Sequence, residues 1–314
     1  MARIGLTIGD PAGVGPEITI AALLGLGKEQ LAQVIVYGDR GPLERAAASL
    51  RTSMPQVALI EAGPGQDVEA GVPSERSGQA SVAYLEAAVA AVASGQLDGL
   101  VTAPISKTWA RRAGFAFPGH TELLAQRLGA PRVAMMFAGL RMHVVLATIH
   151  VPLAQVPSLL TTDGLIATTG LFAEALRRDL GIARPRIGVV GLNPHAGEGG
   201  MLGTEELEVI APAVAAGALG AEVSGPLVPD AAFRDAACGR YDGLVAMYHD
   251  QGLIPIKLLE FEDAVNVTLG LPAVRTSPDH GTAFDIAGQG KARPRSMQRA
   301  LQLAFEMCER RARR

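Results

Sequence analysis

Short apolar, largely β-branched runs alternate with Ala- and Leu-rich stretches along this chain, and that alternation constrains the fold more than any other feature. Runs that are apolar throughout, rather than at every second residue, suit strands buried on both faces. Helices between such strands then cover a parallel sheet. The pattern predicts strands over 3–8, 34–37, 99–102, 133–137, 143–147, 187–191, 243–247 and 265–268. Helical stretches fall at 16–24, 79–93, 122–128, 163–180, 205–216, 231–238 and 295–310. Asp163 is placed to cap the fourth of these and Gly181 to end it. The segment 62–77, rich in Gly, Pro and charge, reads as an exposed connection. A length of 314 residues suggests two domains, and Gly129-Ala130-Pro131 marks a change of domain near residue 130.

Composition narrows the function classes. Hydrophobic residues make up 48% and charged residues 19%, enough for a large core and against disorder. Aromatics are only 4%, too few for base-stacking platforms, and a net charge of −3 gives no pull toward nucleic acid or anionic membrane. No uncharged apolar stretch is long enough for a spanning helix. The chain opens as a strand and loop, not as a signal peptide. Two cysteines, Cys238 and Cys308, fit neither a disulfide framework nor a zinc finger, so a reducing cytoplasm is expected. Only four of the 28 basic residues are lysines, at 28, 107, 257 and 291. The low total fits the codon bias of a GC-rich genome.

Ligand sites in open α/β sheets form at the carboxyl ends of strands, and the unusual residues fall there. Gly9-Asp10-Pro11-Ala12-Gly13-Val14-Gly15-Pro16-Glu17 follows the first strand. Its glycines permit close backbone approach, yet it is neither a dinucleotide fingerprint nor a phosphate loop. Five of the six histidines, His120, His150, His195, His249 and His280, read as loop residues. His143 lies inside an apolar strand and reads as structural. Imidazole serves as metal ligand and as acid or base, and separate strand ends could each deliver one ligand. Lys257, Asn266 and Arg275 are candidate anion anchors, and Lys107 follows the 99–102 strand toward the same end.

Five motifs together resemble one family. They are Gly9–Glu17, Pro118-Gly119-His120-Thr121-Glu122, Gly191-Leu192-Asn193-Pro194-His195-Ala196-Gly197-Glu198-Gly199-Gly200, Met247-Tyr248-His249-Asp250-Gln251-Gly252 and Asp279-His280-Gly281-Thr282-Ala283. The chain resembles the 4-hydroxythreonine-4-phosphate dehydrogenase family of pyridoxal phosphate (vitamin B6) biosynthesis. The resemblance implies an α/β fold of two α/β/α domains like isocitrate and isopropylmalate dehydrogenases, with the active site in the interdomain cleft. It implies a nucleotide-binding domain over 1–129 plus 276–314, and a metal-binding and dimerisation domain over 130–275. It also implies a homodimer with a shared active site.

Carried over residue by residue, His150, His195 and His249 are implied as ligands of one divalent metal ion (Zn, Co, Mg or Mn), with His249 supplied by the neighbouring subunit. His120, Thr121, Lys257, Asn266 and Arg275 match substrate-binding positions. His280, Gly281, Thr282, Asp285 and Gly288 lie in a segment similar to the nucleotide loop of isopropylmalate dehydrogenases, which places NAD or NADP there. Asp250 is expected to orient His249 or accept a proton, and Lys107 to polarise or protonate an enolate. The implied reaction is oxidation and decarboxylation of a phosphorylated hydroxy acid. Relatives acting on D-erythronate or D-threonate 4-phosphate, or on dihydrodiol carboxylates, keep the substrate open. A metal-dependent hydrolase and a non-catalytic binding protein are the readings from other classes.

Overall fold

The computed structural model describes residues 2–313. In chain order its strands are β1 (Ile4–Thr7), β2 (Val34–Tyr37), β3 (Ala58–Ile60), β4 (Gly99–Thr102), β5 (Ala134–Ala138), β6 (His143–Leu146), β7 (Arg186–Val190), β8 (Glu222–Leu227), β9 (Gly243–Ala246), β10 (Val265–Leu269) and β11 (Val274–Pro278). The chain divides into two compact units, one formed by 2–131 with 271–313 and the other by 132–270.

In the first unit the strand order is β3-β2-β1-β4-β11, parallel throughout. Every residue of β1 and β4 is buried, as expected of apolar runs covered on both faces. The helix Glu75–Ala93 packs on β1, β2 and β4, while Arg295–Ala312 packs on β4 and β11. The segment 62–77 is largely an exposed or half-buried connection, and it is anchored at defined points. Buried Asp39 accepts the Gly63 and Gly65 N–H groups and the Tyr84 hydroxyl, and Arg45 donates to the carbonyls of Gln66 and Val68.

In the second unit the order is β10-β5-β6-β9-β7-β8. Here the expectation of a parallel sheet needs correction, because β10 with β5 and β5 with β6 pair antiparallel. The reason is local. Only the short turn Gly139–Met142 joins β5 to β6, and parallel neighbours need a crossover of a dozen or more residues. Buried Glu260 holds that turn by accepting the N–H groups of Leu140 and Arg141. The other pairs, β6/β9, β9/β7 and β7/β8, are parallel. Phe137, Val144, Leu146, Phe233, Leu244 and Ile256 belong to the core of this unit.

Several boundaries shift. Thr161, not Asp163, caps the helix Thr162–Arg178, its hydroxyl accepting from Gly164 N–H at 3.1 Å. The stretch 205–216 begins as the π-helical segment Glu206–Ile210 before turning α-helical at Ala211–Ala216. His120 and His249 are not loop residues: each opens a helix, His120–Arg127 and His249–Glu260, and Lys107 opens the helix Lys107–Arg112.

Candidate active site

The parallel pairing of β6 with β9 continues past both strands and brings two histidines together. Ala147 N–H donates to Ala246 O at 2.8 Å, and both the N–H and the hydroxyl of Thr148 donate to Met247 O. His150 and His249 follow within three residues, and their ring centroids lie 5.6 Å apart at 42°. The Nδ1 atom of His249 lies 2.7 Å from Asp250 Oδ1. A carboxylate on one ring nitrogen fixes the tautomer that leaves the other free to ligate a metal. Both rings border a cavity of about 250 Å³ whose walls include Ile149, Leu153, Val156 and Tyr248. Two imidazoles backed by a carboxylate fit a divalent transition metal. Among the described residues, no group of three or more His, Cys, Asp or Glu side chains is arranged to hold a metal ion. His150 and His249 meet within one chain.

His195 sits in an unusual turn after β7. Five successive residues, His195 to Gly199, have φ between 43° and 78°. Three of them carry a Cβ, and left-handed backbone costs such residues about 1–2 kcal/mol each. Glu206, 2% exposed, faces this turn and accepts hydrogen bonds from the N–H groups of Leu192 and Asn193 and from the Asn193 side chain. Gln251 joins this loop to that of His249: it accepts Met247 N–H at 2.7 Å and donates to Gly191 O at 2.8 Å. Sequence reasoning missed Glu206 and Gln251. The density of glycines from 191 to 203 was the available signal, since consecutive positive-φ positions need something to hold them.

The first unit carries a cationic group. Arg275, on β11 opposite Leu100, is 5% exposed and donates to Thr102 Oγ1 at 2.7 Å. Burial lowers its pKa to about 10, against the opposing charge of Glu122. Gly119 precedes His120, and a Cβ there would lie 3.9 Å from Lys107 Cε. His120 is pushed down to about 3, first by burial and then by the positive charges of Arg275 and Lys107. Its Nε2 is buried without a hydrogen-bond partner, and Thr121 beside it is 8% exposed. A neutral imidazole near two cations suits an anionic ligand, which would complete the electrostatics and take the orphaned nitrogen.

The expected nucleotide loop rests on the glycine-rich turn after β1. Val14 N–H donates to Thr282 O at 2.9 Å, and a Cβ on Gly13 would come within 2.7 Å of that same oxygen. Gly290 N–H donates to buried Glu17 at 3.2 Å. Gly288 borders a second cavity of about 250 Å³, with Gly13, Glu17 and Arg45 on its other walls. His280, Gly281 and Asp285 are exposed. In the second unit, Lys257 lies on the His249–Glu260 helix, its Nζ 6.0 Å from the Phe261 ring centroid. Asn266 is on β10 opposite Phe137, with a buried Oδ1 that has no partner.

The chain is similar to known proteins over most of its length. The 4-hydroxythreonine-4-phosphate dehydrogenase of Desulfosudis oleivorans is 46% identical over 96% of this chain and 95% of its own length. The crystal structure of the Klebsiella pneumoniae 4-hydroxythreonine-4-phosphate dehydrogenase is 40% identical. It superposes with a TM-score of 0.86, covering 98% of this chain and all of that one. A terephthalate 1,2-cis-dihydrodiol dehydrogenase from Burkholderia xenovorans is more distant, at 30% identity and a TM-score of 0.69, covering 97% of this chain and 98% of its own. At the level of fold alone, isocitrate dehydrogenase from Methylococcus capsulatus superposes with a TM-score of 0.52 at 18% identity, covering 99% and 87%. Residues 30–304 match the family described as pyridoxal phosphate biosynthetic protein PdxA. With most of its length matched and close to half its residues shared with such relatives, the chain belongs to the PdxA family.

Proposed function

We propose that the chain catalyses the metal-dependent, NAD- or NADP-linked oxidation and decarboxylation of 4-hydroxythreonine 4-phosphate to an aminoketone phosphate. The observation that carries this reading is the group of Arg275, Lys107 and neutral His120: a buried guanidinium and a second cation around an unpartnered imidazole nitrogen suit a phosphate or carboxylate. The names of the relatives supply the substrate.

His150, His195 and His249 are the residues that would hold the divalent ion, and the 280–288 segment would hold the nicotinamide nucleotide. When bound, these groups supply Lewis-acid polarisation of the substrate oxygen and a hydride acceptor. Asp250 orients the His249 ring through its 2.7 Å contact with Nδ1. Arg275 and Lys257 bind the anionic ends of the substrate, while His120, Thr121 and Asn266 give directed hydrogen bonds. Lys107 is the donor that protonates the carbon left after carbon dioxide departs.

The working form is a homodimer. The large apolar side chains of Leu153, Met201, Ile254, Leu258 and Phe261, all in the second unit, are each at least 65% exposed, which supports contact with a second copy. The neighbouring subunit would contribute one of the three histidines to each metal site. We assign the enzyme to the cytoplasm, in keeping with Cys238 and Cys308 being thiols rather than a disulfide. No helix among the described residues is long and apolar enough to cross a membrane.

The test is a substrate panel. Pure protein with NAD or NADP and a divalent metal is offered 4-hydroxythreonine 4-phosphate, D-erythronate 4-phosphate, D-threonate 4-phosphate and a dihydrodiol carboxylate. Highest kcat/KM on the first, abolished by chelation, is expected. Preference for another substrate overturns the assignment, and product without a nicotinamide cofactor points to a hydrolase.

A further inference from the structure

The turn that carries His195 is built around a single carboxylate. Gly191 to Glu206 folds so that the Glu206 side chain fills the inside of the left-handed stretch. One oxygen accepts Leu192 N–H and Asn193 N–H, both at 2.7 Å, and the other accepts Asn193 Nδ2 at 2.9 Å. Asn193 Nδ2 also reaches Glu205 at 2.7 Å. The fit leaves no room for side chains: a Cβ on Gly197 would lie 2.6 Å from one Glu206 oxygen, and a Cβ on Gly191 3.1 Å from the other. Backbone preference alone opposes left-handed conformations at His195, Ala196 and Glu198, so the turn exists because something over-determines it. Glu206 itself starts a π-helical segment, Glu206–Ile210, a local irregularity that aims the carboxylate.

We propose that Glu206 is a positioning residue that holds His195 in the geometry needed to ligate a divalent cation. The inference rests on the reading of His195 as a ligand. The three donors face two oxygens, and only a carboxylate offers acceptors on both sides. A glutamine would turn an NH2 group either toward Asn193 Nδ2 or toward the two backbone N–H groups, leaving donor against donor.

The test is Co²⁺ titration of the metal-free full-length protein, followed by visible absorption, for the parent, Glu206→Gln and His195→Ala. Far-UV circular dichroism and cooperative unfolding of the metal-free proteins establish that each is folded. Glu206→Gln is expected to weaken Co²⁺ binding by roughly 10–100-fold and to alter the d–d band shape, with His195→Ala at least as severe. Parent-like affinity and spectrum in Glu206→Gln, with binding lost in His195→Ala, overturns the positioning role and leaves the ligand reading intact. Parent-like binding in His195→Ala overturns the ligand reading and the inference with it. If Glu206→Gln does not fold, Asn193→Ala decides: weaker Co²⁺ binding supports the proposal, and unchanged binding overturns it.

Discussion

His150 and His249 face each other with ring centroids 5.6 Å apart, although 99 positions separate them in the chain, because the β6/β9 pairing runs on through Thr148 and Met247. Two imidazoles are thus brought together by backbone hydrogen bonding.

The carboxylate behind His249 gives the first prediction. Asp250→Ala removes the partner of Nδ1 and frees the ring to rotate and change tautomer. Metal affinity should fall by roughly 10–100-fold, with little change in melting temperature, because Asp250 is 71% exposed. Isothermal titration with Zn²⁺ checks this. Unchanged affinity would show that the 2.7 Å contact does not serve ligation.

Arg275→Ala removes a buried guanidinium from the proposed anion site. Losing one partner of a buried, hydrogen-bonded ion pair is typically worth about 2–5 kcal/mol, so kcat/KM should fall by roughly 30-fold or more. The loss should appear mainly in KM if Arg275 holds the substrate equally in ground and transition states. Steady-state kinetics with a phosphorylated substrate measures it, and an unchanged KM would remove Arg275 from the binding site.

The state of His120 is a prediction about pH. Its pKa in the folded protein is lowered to about 3, against an ordinary value near 6.5. Between these values the unfolded chain binds a proton that the folded chain does not. Stability therefore rises with pH across this window, is fully present above about 6.5, and is lost as pH falls toward 3. His143, lowered to about 4, acts with the same sign. His120→Gln should reduce the steepness of acid destabilisation measured by urea unfolding from pH 3.5 to 7. In NMR the His120 ring should show no titration between pH 5 and 8, and an inflection near 6.5 would contradict the assignment.

Much of this arrangement was legible in the sequence, for definite reasons. The strands Val34–Tyr37 and Gly99–Thr102 are read to the residue because each is a short, mainly apolar run closed by a turn residue, Gly38 or Pro104, within two positions of its end. β3 is missed because it has three residues and an exposed, half-buried, exposed pattern. β8 is an edge strand carrying Gly225-Pro226, the chemistry of a turn. β11 reads Val-Arg-Thr-Ser-Pro, polar yet fully buried, so apolar content cannot reveal it. The His249–Glu260 helix is masked by Gly252 and Pro255, two residues that normally interrupt helices. The site histidines and Arg275 stood out by chemistry in unusual contexts. Glu206 and Gln251 did not, because a buried carboxylate or amide acquires its role only from the loops it ties together.

The seating of the proposed nucleotide loop yields a further prediction. A methyl group at Gly13 would press on Thr282 O, 2.7 Å away, which is backbone and cannot swing aside. Gly13→Ala should raise the NAD dissociation constant about fivefold or more, corresponding to ~1 kcal/mol of overpacking. Metal affinity should stay at the parent value. Fluorescence titration with reduced nucleotide measures the first quantity, and unchanged binding would place the cofactor elsewhere.

The most direct test of the central assignment is to follow reduced nicotinamide and carbon dioxide together when the metal-loaded protein meets 4-hydroxythreonine 4-phosphate. The account predicts both products in a 1:1 ratio, formed faster than from D-erythronate 4-phosphate or D-threonate 4-phosphate. Absence of both with this substrate, alongside rapid turnover of a sugar-acid phosphate, would contradict it.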